Sequence, residues 1–247
     1  MELNFKDKTV LITGGAQGIG ENLVENFNAT GATVYFCDID KDRGEKLKDR
    51  LKGKVLFEAL DIKEGNALRT WVESCGEKES RIDILINNAA IDHRIDFHEA
   101  TEDDWDEFHD TNLKSMFITC RYSLPFLTEG SSIVNISSIT YQLGVENLSL
   151  YTAGKAGVVG FTRSLARSLG KKKIRANVVS PGWVATERQL RDYLNTPEMV
   201  EFAQGQQCLH EFLTPQEITN TIMFLASDLA SGITGQNISV NKGWYLG

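Results

Sequence analysis

The sequence predicts an α/β fold in which a parallel sheet is covered by helices on both faces, the doubly wound arrangement. Three observations predict it. Short β-branched runs recur between longer helical stretches. Several of those runs are apolar almost throughout, as strands buried on both faces are. A glycine-rich turn follows the first run and opens a helical pattern. Residues 1–247 read as a single domain, because they contain no linker, repeat or low-complexity segment.

The first strand is Thr9–Thr13, which runs into the turn TGGAQGIG from Thr13 to Gly20. Gly14, Gly18 and Gly20, with Gln17 and Ile19 between them, let the backbone turn tightly and approach a pyrophosphate. The helix N-terminus that follows offers N–H groups and a positive dipole to that anion. No Lys-Ser/Thr follows the last glycine, so the turn is not a P-loop. The second strand, Thr33–Asp38, ends on a carboxylate 18 residues beyond Gly20. At that spacing Asp38 is expected to accept hydrogen bonds from the adenosine ribose and to repel the 2′-phosphate of NADP. Neither Gln17 nor Ile39 supplies a cation for that phosphate, so NAD is the expected cofactor and NADP the disfavoured one.

The third and fourth strands are Lys54–Leu60 and Ile82–Asn87. A helix starts at Thr101, a cap followed by Glu102, Asp103 and Asp104 in the first turn, and Asn112 falls in the helical region beyond it. The fifth strand, Ser132–Ser137, leads directly to Ser138. The helix after it covers Leu150–Leu169 and ends at Gly170, where Lys171, Lys172 and Lys173 complement its dipole. The sixth strand is Arg175–Ser180. Residues 183–207 are too many for a tight connection and are expected to form helical pieces of a substrate lid. Thr214, Pro215 and Glu217 make a capping box with proline at the first helical position, and Asn237–Val240 is the seventh strand.

Composition removes several classes of function. The net charge is −8, from 34 acidic and 26 basic residues, whereas nonspecific nucleic-acid binding needs a basic face. No apolar run reaches membrane-spanning length, and the N-terminus lacks the regions of a signal peptide. Cys37, Cys75, Cys120 and Cys208 form no C-x-x-C pair and read as reduced thiols of a cytoplasmic protein. His93, His98 and His109 lack H-E-x-x-H spacing, so no metal is expected. The absence of G-x-S-x-G disfavours a serine hydrolase.

The chemistry centres on SLYTAGKAGV, Ser149 to Val158. Tyr151 and Lys155 stand four residues apart, on one face of a helix and about one turn from each other. A cation beside a phenol favours the phenolate, and free tyrosine, with a pKa of about 10, is otherwise a poor base at neutral pH. Ser138 lies 13 residues before Tyr151, at a strand end, placed to donate a hydrogen bond to a substrate oxygen.

With the glycine turn and the Tyr–Lys pair together, the chain resembles the short-chain dehydrogenase/reductase family over nearly its whole length. LDI, Leu60 to Ile62, sits where that family contacts adenine; NNAA, Asn87 to Ala90, resembles its fourth-strand motif, with Ala90 in place of the usual glycine. NISS, Asn135 to Ser138, resembles its catalytic-serine strand, and PGWVAT, Pro181 to Thr186, its nicotinamide-side loop. The resemblance implies a Rossmann-type sheet of about seven strands in the order 3-2-1-4-5-6-7. It implies Asn112, Ser138, Tyr151 and Lys155 as the catalytic set, with Tyr151 the general base and Asn112 holding a proton-relay water. It adds Asp61, Ile62, Asn88, Pro181, Val184 and Thr186 to the cofactor contacts, and has Tyr151 and Lys155 reach the nicotinamide side, Lys155 through the ribose. It also implies a homotetramer paired through the helices around Asp104–Cys120 and Leu150–Leu169, with Trp244 near a second interface.

The loops at the strand ends carry a polar set with few large apolar residues, which suits a polyhydroxylated small molecule. His93, Arg94, Gln142, Asn147, Trp183 and Arg188 are the candidate substrate contacts. The stretches from Ser137 to Tyr151, Pro181 to Gln189 and Gln207 to Ile218 resemble the bacterial branch that oxidises aldoses at C1 to aldonolactones, which implies a sugar substrate, neutral or anionic. A polyol or 3-oxoacyl oxidoreductase is the alternative on the same scaffold. A non-catalytic NAD-sensing binder would not need Asn112, Ser138, Tyr151 and Lys155 together.

Overall fold

The structure, a computed structural model, describes residues 3–247. Seven strands form one parallel sheet in the order β3-β2-β1-β4-β5-β6-β7, as the resemblance implies. The first half runs β1 (Thr9–Thr13), α1 (Gly18–Ala29), β2 (Thr33–Asp38), α2 (Lys41–Arg50), β3 (Val55–Ala59), α3 (Gly65–Glu79) and β4 (Ile82–Asn87). There follow α4 (Glu102–His109), α5 (Ser115–Ser123), β5 (Leu127–Ile136), the single turn α6 (Thr140–Leu143) and the long α7 (Ser149–Leu169). The chain closes with β6 (Arg175–Pro181), α8 (Glu187–Asp192), α9 (Pro197–Gly205), α10 (Pro215–Ala226) and β7 (Asn237–Val240).

Side-chain alternation in β1 divides the core in two. Val10 and Ile12 face α1 and α10, packing with Leu23, Phe27 and Ile222, while Leu11 faces the opposite layer with Leu68, Val72 and Val158. Both faces are therefore buried, which is why the strands read as continuous apolar runs. The sheet also holds a polar seam at its centre. Asn87 Nδ2 donates to Asn135 Oδ1 at 2.8 Å, the Thr119 hydroxyl donates to Asn87 Oδ1 at 2.6 Å, and Asn135 Nδ2 donates to Thr162 Oγ1 at 2.9 Å. These side chains are buried, so an unmade bond would cost roughly 1–3 kcal/mol.

Two departures from the sequence expectation bear on the site. β5 begins at Leu127 rather than Ser132, since Leu127 pairs with Ile82 ahead of a register shift between Ile82 and Ile84. Its exposed Thr128, Glu129 and Gly130 conceal the strand in the sequence. The helical region around Asn112 is not continuous α-helix: Asp110–Lys114 forms a π-helical turn between α4 and α5.

Candidate active site

The cofactor side is built at the C-terminal ends of β1, β2 and β4. Gly14 holds φ at +66°, where a side chain is strained, and its N–H donates to Cys37 O at 2.8 Å. A Cβ at Gly20 would lie 1.8 Å from the Gly14 carbonyl oxygen, so the turn closes only around glycine. Gln17 is the extended residue ahead of α1, Gly18 opens the helix, and Ile19 reaches the cavity described below. Asp38 is only 6% exposed; its carboxylate accepts from Ala16 N at 2.9 Å and Asp40 N at 3.0 Å. These bonds hold the carboxylate at the end of β2, next to the turn. Asn88 Nδ2 donates to Gly14 O at 2.8 Å and Thr13 O at 3.2 Å, which fastens β4 to the turn. Asp61 accepts from Lys63 N at 2.9 Å, and Ile62 is buried in the core beneath it. Pro181 ends β6, Val184 bridges to Leu213, and Thr186 caps α8 against Gly18. A tight glycine turn opening a helix, with a fixed carboxylate beside it, fits a nicotinamide dinucleotide.

Beside this surface lies a cavity of about 650 Å³ lined by Ser138, Tyr151 and Lys155 together with Asn88, Pro181 and Val184. Tyr151 and Ser138 face the same cavity, and Lys155 Nζ lies 5.6 Å from the Tyr151 ring centroid. Lys155 is 1% exposed; its ammonium donates to Ile136 O at 2.9 Å, while its carbonyl accepts from the Ser137 hydroxyl at 2.7 Å. Burial pulls the Lys155 ammonium down to about 8. Burial and then the charge of Asp92 push the Tyr151 phenol above its ordinary value, against the opposing pulls of Ser138 and Arg188.

Two loop placements differ from the sequence expectation, those of His93 and Gln142. The Asn112 side chain is bonded to backbone: its Oδ1 accepts from Ile91 N and its Nδ2 donates to Ile91 O, both at 3.0 Å. It clamps the loop after β4 that carries Asp92. His93 lies outside the cavity and packs on Phe108 with ring centroids 4.5 Å apart; Asp92 and Arg94 face in, and the residue between them faces out. Gln142 also lies outside it, although its neighbours Thr140 and Leu143 on the single turn α6 line it.

Arg94, Asn147, Trp183 and Arg188 do line the cavity. The Arg94 guanidinium sits 5.9 Å from the Trp183 ring and 5.2 Å from that of Tyr193. Asn147 has φ of +60° and accepts from Ile95 N at 3.0 Å. Asp92 accepts from Arg188 at 2.6 Å and from Gln189 at 3.0 Å, and Gln189 Oε1 accepts from Trp183 Nε1 at 2.7 Å. The segment 183–207 supplies α8 and α9 to one wall, as helical pieces. That wall is more apolar than expected. Tyr193, Met199, Phe202 and Trp244 join Trp183, and Trp244 packs 6.3 Å from both Trp183 and Phe202. Trp244 thus serves the cavity, a role the sequence reading missed. Its signal is the apolar face of α9, which needed a partner.

Among the described residues no three metal-binding side chains cluster, and no helix is long and apolar enough to cross a membrane. The family described as Enoyl-(Acyl carrier protein) reductase matches residues 14–245. A probable galactose dehydrogenase of Rhizobium meliloti is 36% identical, covering 98% of this chain and 96% of its own length. The D-xylose 1-dehydrogenase of Caulobacter vibrioides is also 36% identical, over 98% and 97%. A 3-oxoacyl-[acyl-carrier-protein] reductase of Thermotoga maritima is 35% identical, over 99% and 100%. Among solved structures, a Brucella melitensis short-chain dehydrogenase/reductase described as glucose/ribitol dehydrogenase superposes with a TM-score of 0.94 at 31% identity, over the full length of both chains. A Burkholderia cenocepacia short chain dehydrogenase in complex with NADP gives 0.91 at 25% identity, over 98% and 99%.

Proposed function

The chain belongs to the short-chain dehydrogenase/reductase family, and from that premise we propose that it oxidises the C1 hydroxyl of a cyclic aldose with NAD, giving an aldonolactone. One observation carries the proposal: Ser138, Tyr151 and Lys155 line a single cavity that adjoins the glycine turn. When bound, the dinucleotide supplies the hydride acceptor. Tyr151 takes the proton of the anomeric hydroxyl, and Ser138 donates a hydrogen bond to the same oxygen. Lys155 supports the tyrosinate and would hold the nicotinamide ribose of the bound dinucleotide.

NAD is favoured over NADP because Asp38 is a fixed carboxylate where a 2′-phosphate would lie, and the following Ile39 is exposed and uncharged. Support for a sugar comes from the two aldose-oxidising relatives and from Asp92, Glu146, Asn147 and Arg188 on the cavity wall. We assign residues 183–207 as the substrate lid of a single domain. The acidic charge and reduced thiols support a cytoplasmic enzyme. Exposed Trp105 and Phe117 on α4 and α5 support a homotetramer paired through those helices.

The test is NAD reduction across neutral aldoses, sulfonated aldoses and polyols, with the lactone identified as product. Oxidation of secondary alcohols alone rejects the reading. A second reading, reduction of a 3-oxoacyl thioester, is favoured by the wall of Tyr193, Met199, Phe202 and Trp244 and by the 35% identical reductase. Turnover of 3-oxoacyl thioesters with no aldose oxidation establishes it instead.

A further inference from the structure

Asp92 takes no part in the proton transfer above, yet with its partners it bridges the loop after β4 to α8 at the wall of the reaction cavity. Both carboxylate oxygens are used: one accepts from Arg188 at 2.6 Å and the other from Gln189 at 3.0 Å. Gln189 in turn accepts from Trp183, so one carboxylate gathers three residues of the 183–207 segment. The other end of this latch is equally fixed, because Asn112 grips both the N–H and the C=O of the adjoining Ile91.

We propose that Asp92 is a positioning residue for the reaction: it seats α8 against the loop after β4 and makes that seating control the charge around the Tyr151 hydroxyl. The inference rests on the reading of Tyr151 as the base. The charged groups lining the cavity with Tyr151 are Lys155 from α7, Asp92 and Arg94 from the loop after β4, Glu146 from the loop before α7, and Arg188 from α8. Asp92 disfavours the tyrosinate and Arg188 favours it. With the two in contact Arg188 opposes the stronger effect of Asp92. With α8 displaced, Arg188 withdraws its charge while Asp92, anchored through Ile91, keeps its own, and the phenol holds its proton. Proton abstraction is thereby reserved for the enzyme whose lid is docked, which is where substrate is enclosed.

The experiment compares Asp92→Asn, Arg188→Gln, the double variant and Arg188→Lys. Tyr151 ionisation is titrated by tyrosinate absorbance in the NAD-saturated protein, after subtraction of the Tyr151→Phe variant, and the pH profile of kcat/KM is recorded in parallel. Asp92→Asn is expected to lower the titration midpoint by roughly half to one unit, and Arg188→Gln to raise it by a similar amount. The double variant falls between them, and Arg188→Lys returns toward wild type because it keeps the charge. Midpoints that stay put, or that move in one direction for both single variants, overturn the proposal; a merely structural latch would lower activity without opposite displacements. Opposite displacements in a protein that oxidises no aldose keep this inference and reject the sugar reading. Aldose turnover with unmoved midpoints rejects this inference alone.

Discussion

Replacing Lys155 by methionine removes one charge from the reaction cavity while nearly preserving side-chain length. The ammonium lies 5.6 Å from the centroid of the Tyr151 ring. With that distance taken as the charge separation and an effective dielectric of about 20, the ammonium and a tyrosinate interact by roughly 3 kcal/mol, or about two pKa units. Lys155→Met is therefore expected to move the acid limb of kcat/KM upward by about two units. Below that limb the fraction of ionised tyrosine falls about a hundredfold, and kcat/KM falls with it. The assay is the initial rate of NAD reduction from pH 6 to 10, with the aldose the wild type oxidises, at matched NAD saturation. A loss of less than about threefold with an unmoved limb refutes the electrostatic role. Stability gives a second reading of the same residue. Burial sets the folded-state lysine at about 8, below its ordinary 10.5. The folded state disfavours the charged form, so this group's contribution is present in full above 10.5 and is lost as pH falls through about 8. Wild type should gain on Lys155→Met by roughly 3 kcal/mol as pH rises across that interval, in chemical denaturation.

Tyr151→Phe is expected to abolish turnover, at least about a hundredfold, while NAD affinity measured by calorimetry stays within threefold; near-wild-type rates would end the proposed mechanism. Asp38→Ser should raise the NADP-to-NAD ratio of kcat/KM more than about tenfold, and a wild type that already prefers NADP contradicts the assignment. Gly20→Ala places a methyl group against the Gly14 carbonyl and should lower stability by about 2 kcal/mol or more and weaken NAD binding, followed by thermal melting and titration. Sedimentation at micromolar concentration should give a tetramer, and Phe117→Glu, on an exposed face of α5, should dissociate it; a monomeric wild type excludes that assembly.

The sheet was legible because burial on both faces turns β1, β2 and β4 into apolar runs of characteristic length. β1, β2, β4 and β7 carry the expected boundaries, and β3 is shorter by one residue at each end. β5 was legible only from Ser132, because its earlier residues face solvent across a register shift. At the site, helical period alone puts Tyr151 and Lys155 on one face, and the turn chemistry marks Gly14 and Gly20. Loops carry no such period. That is why His93 was placed in a cavity it faces away from, and why the single turn α6 leaves Gln142 outside while its neighbours point in. The direction of the Tyr151 shift was illegible for a different reason. It depends on burial and on Asp92, which meets the tyrosine only through the fold, 59 positions away in sequence (151 minus 92).

The asparagine seam between β4 and β5 has a consequence for alignment. A slip of two residues between parallel strands would leave inward and outward side chains on their proper faces, so apolar patterning cannot forbid it. Directional amide bonds can, since Asn87 meets Asn135 in one alignment alone. Such a slip would shear Asn88, which fastens the glycine turn, from Ser138 by about 6–7 Å. Exchanging both asparagines for leucine would then yield a protein that still folds yet mixes offsets, with its two half-sites out of step. The buried amides act as an index pin, trading some solvation energy for a single alignment of cofactor side and proton-transfer side.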